Sequence, residues 1–286
     1  MIASHILKDN VKAALAEDLN GNADKDLSAQ LIPSENTSTA TIISREKGIF
    51  CGQPFVEEVF NQLHSSSIKI EWQINEGQQL SPNQTICHLH GPSRILLTGE
   101  RTALNFIQTL SAIATVTSQY VQKLQGTHCQ LLDTRKTLPG LRFASKYAVT
   151  VGGGHNHRFG LFDAFLIKEN HIMACGCIHK AIERAKQIAP TTKVEIEVEN
   201  LDEFREALTC PCDVIMLDNF TIEMMKEAIT TRQKLHKQAI KLEVSGDVTL
   251  NTIRDYALTG VDFISVGALT KHIKALDLSM RFIHHC

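Results

Sequence analysis

The sequence predicts an α/β fold, a small α+β unit with antiparallel strands followed by parallel βαβ units gathered into a barrel. Three observations predict it. Between Thr37 and Leu89, short stretches alternate apolar and polar with a period of two. From Cys129 onward, short apolar runs alternate with helix-period segments. Each of six apolar runs in that second part ends in polar or small residues suited to a ligand. Composition narrows the function classes. A chain of 286 residues, 43% hydrophobic and 21% charged, suits one large or two medium globular domains. A formal net charge of −2 leaves no general basic footprint for nucleic acid. No apolar run reaches the length of about 18 residues needed to cross a membrane. The start of the chain shows no apolar core behind a basic head, so a cytoplasmic protein is expected. Eight cysteines are scattered, and the pairs Cys175/Cys177 and Cys210/Cys212 are too close for ordinary zinc spacing. They read as reduced, mostly buried thiols.

The elements follow in order. Leu7, Val11, Ala14 and Leu15 share a helical face within His5–Leu19, and Asn20–Asp26 has the composition of a turn. Thr39–Ser44 alternates as a strand, Gly48–Pro54 turns, and Phe55–Leu63 is helical. Ile68, Ile70, Trp72 and Ile74 mark a half-buried strand, and Thr85–Leu89 another, ended by Gly91-Pro92. A long helix is expected from Glu100 to about Leu124, stopped by Gly126. Arg101 would then sit near its start, where a cation opposes the helix dipole by a few tenths of a kcal/mol. A cation held there is either simply exposed or kept to meet an anion, across a subunit boundary in the second case.

Strands are then expected near 129–133, 163–167, 193–199, 213–217, 240–245 and 262–266. Helices fall near 142–151, 177–189, 201–209, 221–236 and 249–259. Asn200 with Glu203 resembles a capping box. Periodicity alone does not separate an open sheet from a closed barrel. The strand ends favour the barrel, because only closure brings them to one mouth.

The chemistry collects at those ends. Asp133, Arg135 and Lys136 follow the first strand, and Lys168 the second. Glu195, Glu197 and Glu199 share one face of the third. Asp218 ends the fourth, Ser245-Gly246 the fifth, and Ser265 with Gly267 the sixth. The stretch Val151–His171 adds three glycines and then His155, His157 and Arg158. One side of this set is cationic: Arg135, Lys136, His157, Arg158 and Lys168. The other is acidic or small: Glu197, Asp218, Ser245, Gly246 and Gly267. Guanidinium forks bind planar carboxylates, and small residues before helix N-termini let backbone N–H groups approach a phosphate. The acids suit a sugar diol, or Mg²⁺ held against a pyrophosphate. Gly152–Gly154 read as a helix end needing positive φ. Arg142 and Lys146 read as a solvated helix face. His155 and His157 are weak as a metal pair.

The blocks DTRKTLPGLR at 133–142, GGGHNHRFGLFDAFLIKENH at 152–171, EIEVEN at 195–200, LDN at 217–219, LEVSG at 242–246 and ISVGALT at 264–270, with GERTALN at 99–105, resemble quinolinate phosphoribosyltransferase. The resemblance implies a type II phosphoribosyltransferase fold. An N-terminal α/β sandwich-like domain, 1–112, would precede an open, irregular α/β barrel, 113–286, whose extreme C-terminal helix packs back on the first domain. It implies phosphoribosyl transfer from phosphoribosyl pyrophosphate to quinolinate with decarboxylation, Mg²⁺ as cofactor, and a homodimer with a shared active site. By resemblance Arg101 (from the partner subunit), Arg135, His157, Arg158 and Lys168 hold quinolinate. Lys136 lies between quinolinate and the leaving pyrophosphate, Glu197 and Asp218 meet the ribose or Mg²⁺, and Ser245, Gly246 and Gly267 cradle the 5′-phosphate. Only the family pattern picks Glu197 from its two neighbours on the strand. Asp247 departs from that pattern, which has a small or amide residue there; it is expected to point away or cap the next helix. Two other classes of function stay open on the residues alone. One is a Schiff-base barrel aldolase using Lys168. The other is a non-catalytic sensor of carboxylates or nucleotides.

Overall fold

The structure is a computed structural model and describes residues 3–22, 25–63 and 67–283. Cys286 and part of the expected turn Asn20–Asp26 lie outside the described residues. In chain order the elements are α1 (Ser4–Leu19), β1 (Thr37–Ser44), β2 (Gly48–Ile49), α2 (Gln53–Gln62), β3 (Lys69–Trp72), β4 (Gln79–Leu80), β5 (Thr85–Pro92) and α3 (Ser93–Lys123). There follow β6 (Gln130–Leu132), α4 (Arg142–Val151), β7 (Phe165–Ile167), α5 (Glu169–Cys175), α6 (Ile178–Ile188), β8 (Val194–Val198) and α7 (Leu201–Ala207). The chain ends with β9 (Val214–Asp218), α8 (Ile222–Lys234), β10 (Lys241–Ser245), α9 (Ile253–Leu258), β11 (Phe263–Ser265), α10 (Ala268–Lys271) and β12 (Leu278–Ile283). They divide into two compact units: 1–118 with 137–153 and 270–286, and 119–136 with 154–269.

The first unit holds a four-stranded sheet in the order β12-β1-β5-β3. Its pairs are antiparallel. Ala40, Ile42 and Ser44 alternate inward along β1, as the period of two requires. The expected C-terminal helix is instead the strand β12, paired from Thr39↔Ile283 to Ser44↔Leu278. Leu278 and Met280 alternate with outward residues, so the apolar period of this short segment is that of a strand. The long helix begins at Ser93, not Glu100, because β5 runs through Pro92 directly into it. Arg101 is therefore well inside α3 and exposed, and the expected dipole penalty falls away. The turn expected at Gly48–Pro54 contains β2, which pairs with β4. Lys146 is buried, contrary to expectation, because α4 turns Ala144, Ser145, Ala148 and Val149 into the core of this unit. After α4 the positive φ belongs to Gly153 alone. Gly152 is needed for space, since a Cβ there would lie 2.5 Å from the carbonyl oxygen of Ala114.

The second unit holds six parallel strands in the order β6-β11-β10-β9-β8-β7. Val194, Ile196 and Val198 form one face of β8, and α6 and α7 pack against that strand. Glu195 and Glu197 take the opposite face. β6 and β7 do not pair, so the barrel is open. The edge of β6 is continued by a single parallel bridge to His155, with His155 N–H donating to Leu131 and Asp133 N–H to His155. Half of the predicted capping box is present: Asn200 accepts from the N–H groups of Asp202 and Glu203, while the Glu203 carboxylate accepts from the N–H of Glu199 and not from that of Asn200. Helix α5 was not expected. It is started by Lys168, whose N–H donates to His171 Nδ1.

A buried ion pair stiffens the sheet away from the mouth. Arg232 donates to Asp262 at 2.5 Å and to the carbonyl of Ile240, and Asp262 also accepts from the N–H of Leu242. Burial alone would raise the Asp262 carboxyl, but the Leu242 N–H and Arg232 bring it below the ordinary value. Its stabilisation is thus present above the unfolded pKa and is lost as pH falls through the depressed folded one. Arg232→Ala leaves Asp262 only the more exposed Lys241, at 3.1 Å, and the N–H of Leu242, and is expected to cost about 1.5–3 kcal/mol, read by urea denaturation at neutral pH. A loss below about 1 kcal/mol, the range of surface pairs, would contradict it.

Candidate active site

The site grows from the C-terminal ends of the parallel strands. Asp133, fully buried after β6, accepts from Asn156 Nδ2 at 2.6 Å and from the N–H of His157 at 2.8 Å. It is an anchor that pins the 155–158 segment beside β6. Arg158 is thereby fixed, and its guanidinium donates to the carbonyl of Ala164. Burial lowers the Arg158 pKa, the neighbouring Arg135 lowers it further, and Glu195 opposes both. Two like charges held together against desolvation are relieved by a nearby anion.

In the lining of the same cavity, Lys168 Nζ meets Glu197 Oε2 at 2.5 Å. Glu197 is nevertheless raised above the ordinary carboxylate value, chiefly by burial, with Asp218 and Glu169 adding to it. Asp218 is oriented by Asn219, whose Nδ2 donates to it at 2.9 Å. Asn219 itself has a φ of 54°, and Gly246 a φ of 102°. A Cβ on Gly246 would come 2.1 Å from Asn219 Oδ1, so only glycine allows the two turns to meet. Gly267 makes room in the same way for Lys136, whose Cδ would lie 2.9 Å from an added Cβ.

These groups surround a cavity of about 340 Å³. Arg135, Lys136, His157, Arg158, Lys168, Glu197 and Ser245 line it, as the strand-end reading expects. Asp218, Gly246 and Gly267 do not line it; Asp218 is in register with Ser245, and Gly267 lies against Lys136. Arg101 belongs to the other unit. Thr134, Leu166, Met216 and Ser265 also line the cavity. Leu166 and Met216 give it apolar walls fit for a flat ring. Strand parity could have found Met216, which stands in register with Glu197. The three glutamates separate by depth: Glu195 is buried beneath the cavity, Glu197 lines it, and Glu199 lies beyond the strand and is exposed. Asp247 is exposed, and the cap position of α9 is Thr252, so its expected capping role is not met.

Four cations, a carboxylate and two apolar side chains lining one cavity, at the strand ends of a parallel α/β sheet, define an enzyme acting on small, highly anionic substrates. Comparison with known proteins makes this specific. Residues 26–111 match the family described as quinolinate phosphoribosyl transferase, N-terminal domain, and residues 113–281 its C-terminal domain. The chain belongs to the quinolinate phosphoribosyltransferase family. It is 43% identical to a probable nicotinate-nucleotide pyrophosphorylase [carboxylating] of Bacillus subtilis, covering 89% of this chain and 87% of that one. It is 36% identical to a nicotinate-nucleotide pyrophosphorylase [carboxylating] of Mycobacterium leprae, covering 96% of each. The solved structure of the nicotinate-nucleotide pyrophosphorylase from Francisella tularensis superposes with a TM-score of 0.90 at 47% identity, over 99% of this chain and 98% of that one.

Proposed function

We propose that the chain transfers the phosphoribosyl group of phosphoribosyl pyrophosphate to quinolinate with loss of CO₂, giving nicotinate mononucleotide and pyrophosphate in NAD biosynthesis. The observation that supports this reading is one cavity lined by Arg135, Lys136, Arg158 and Lys168 together with Glu197, with Asp218 near enough to raise the Glu197 carboxyl. The guanidinium groups hold the two carboxylates, while Leu166 and Met216 flank the ring. Its nitrogen then faces the ribose carbon. A bond forms from that nitrogen to C1′ as the bond from C1′ to pyrophosphate breaks, and Lys136 meets the departing negative charge. The ring nitrogen is now cationic. When the adjacent carboxylate leaves as CO₂, its bonding electrons stay on the ring carbon beside that cation, and a proton takes its place. Positioning and fixed charge supply the catalysis, with no covalent nucleophile.

Ser245, Gly246 and Gly267 suit the 5′-phosphate. Glu197 and Asp218 offer hard carboxylate oxygens close to one another, a donor set that fits Mg²⁺ bound with pyrophosphate. Such an ion would neutralise the leaving group; the chain's own part is to hold the two acids, through Lys168 and Asn219, where the ribose arrives. A Schiff-base role for Lys168 is less well supported. Such a lysine is desolvated, whereas this one is 43% exposed and engaged by a carboxylate. The test follows CO₂ from carboxyl-labelled quinolinate with and without phosphoribosyl pyrophosphate. Release dependent on the second substrate, with equimolar pyrophosphate, is expected. Ligand binding without release would replace this reading with the sensor, and a borohydride-trapped adduct on Lys168 with the aldolase.

The reading includes a cytoplasmic homodimer in which Arg101 of the partner subunit completes the quinolinate site. Arg101→Ala mixed with Lys168→Ala should regain part of the activity that each lacks alone, since a heterodimer then has one intact site. Verified heterodimers with no regain would count against sharing.

A further inference from the structure

Beneath the cavity lies a cluster that the steps above do not use. Ligand atoms of His157, Glu195 and Glu243 all fall within 4.8 Å of one another. His157 Nε2 stands between the two carboxylates, 2.9 Å from Glu195 Oε2 and 3.6 Å from Glu243 Oε2. Both acids are 1% exposed, and among the described residues Glu195 Oε1 and Glu243 Oε1 accept no hydrogen bond. Two buried carboxylates at such range require a cation between them, either a metal ion or a proton.

The far side of the imidazole decides which. Its Nδ1 accepts the N–H of Arg158 at 2.8 Å. A nitrogen that accepts carries its lone pair, so the ring proton is on Nε2. A metal on Nε2 would leave the ring with no proton on either nitrogen. The spacing agrees. Two ligands each about 2.0–2.1 Å from a tetrahedral ion stand about 3.3 Å apart, whereas Nε2 and Glu195 Oε2 are 2.9 Å apart, a close charge contact whose angle is not that of an aligned hydrogen bond. Burial and the nearby Glu195 both push the Glu243 carboxyl well up, in keeping with a proton held there, while Ser265 and Lys193 partly offset them.

We propose that Glu195 and Glu243 are positioning residues: they hold His157 as its Nε2–H tautomer and, through its Nδ1, fix the backbone and guanidinium of Arg158 at the floor of the diacid subsite. This rests on the proposed reaction for its kinetic part only. The hydrogen bond to Nδ1 requires the lone pair that this tautomer supplies, so the acids below set the position of a cation above without touching substrate. Glu195 also counters the charge of Arg158 directly.

The test uses the full chain, wild type and the isosteric variants Glu195→Gln and Glu243→Gln. Two-bond ¹H–¹⁵N spectra of histidine-labelled wild type should show His157 with its proton on Nε2, and elemental analysis should show no stoichiometric transition metal. In the variants the His157 nitrogen shifts should move, and KM for quinolinate should rise by about tenfold while KM for phosphoribosyl pyrophosphate stays within about twofold. A proton on Nδ1, or one bound metal per chain, would overturn the proposal on wild type alone, whether or not a variant folds. So would an unchanged quinolinate KM in folded variants. If CO₂ release proves independent of phosphoribosyl pyrophosphate, the reaction reading falls while the nitrogen spectra still decide the tautomer.

Discussion

Arg135→Ala is expected to reduce kcat/KM for quinolinate by about 10- to 150-fold, the loss of one charge-assisted hydrogen bond worth about 1.5–3 kcal/mol. The loss should fall on quinolinate rather than on phosphoribosyl pyrophosphate, because Arg135 stands beside Arg158 in the cavity lining. The fold should be unaffected, since removing Arg135 also relieves the repulsion that depresses Arg158. That relief gives a second, sharper expectation. The double variant Arg135→Ala/Arg158→Ala should deviate from the sum of its single variants, as groups that share one ligand and one electrostatic field do. Steady-state rates with quinolinate varied would check both. A single-variant effect within about twofold would remove Arg135 from the site.

Lys168→Ala is expected to cost more, about 10²–10³ in kcat, the range seen when a preorganised charged donor is removed from where charge develops. Lys168 has two kinds of neighbour. It is the counter-ion of Glu197 at 2.5 Å, and it lines the same cavity as Arg135 and Arg158. Its removal leaves Glu197 beside Asp218 and Glu169 with no cation to offset them. Both substrates should therefore lose affinity, unlike the one-sided loss expected for Arg135→Ala. A loss confined to quinolinate KM, with kcat unchanged, would show that Lys168 only binds the diacid.

Part of the cavity lining was legible because several of its side chains follow short apolar strands, and a parallel strand can be read from its run and its following helix; His157 and Arg158 instead lie on the segment pinned beside β6. Arg135, Lys168, Glu197 and Ser245 were found in that way. Other features failed for definable reasons. The start of α3 was misplaced because Gly91-Pro92 reads as a break, yet β5 passes straight through it. β12 was read as helical because six residues with two buried apolar positions cannot decide between periods. Helix α5 was hidden because it has only seven residues, none of them buried, and its start is set by His171, not by an ordinary cap. Asp133 looked like a ligand residue, but its depth makes it an anchor, and depth along a strand has no signature in the alternation of side chains. The same blindness left Glu195, Glu197 and Glu199 equivalent on paper although they end in three environments.

The pairing of β1 with β12 has a consequence for biogenesis. The sheet of the first unit is bounded on one side by a segment translated after every strand of the parallel sheet. While the ribosome is still producing the later part of the chain, β1 presents an unpaired backbone edge of the kind that invites misassociation. The parallel array, whose strands neighbour one another in sequence almost throughout, can consolidate first. Shortening the chain before Leu278 should therefore harm solubility during synthesis more than it harms the chemistry of the strand-end cavity.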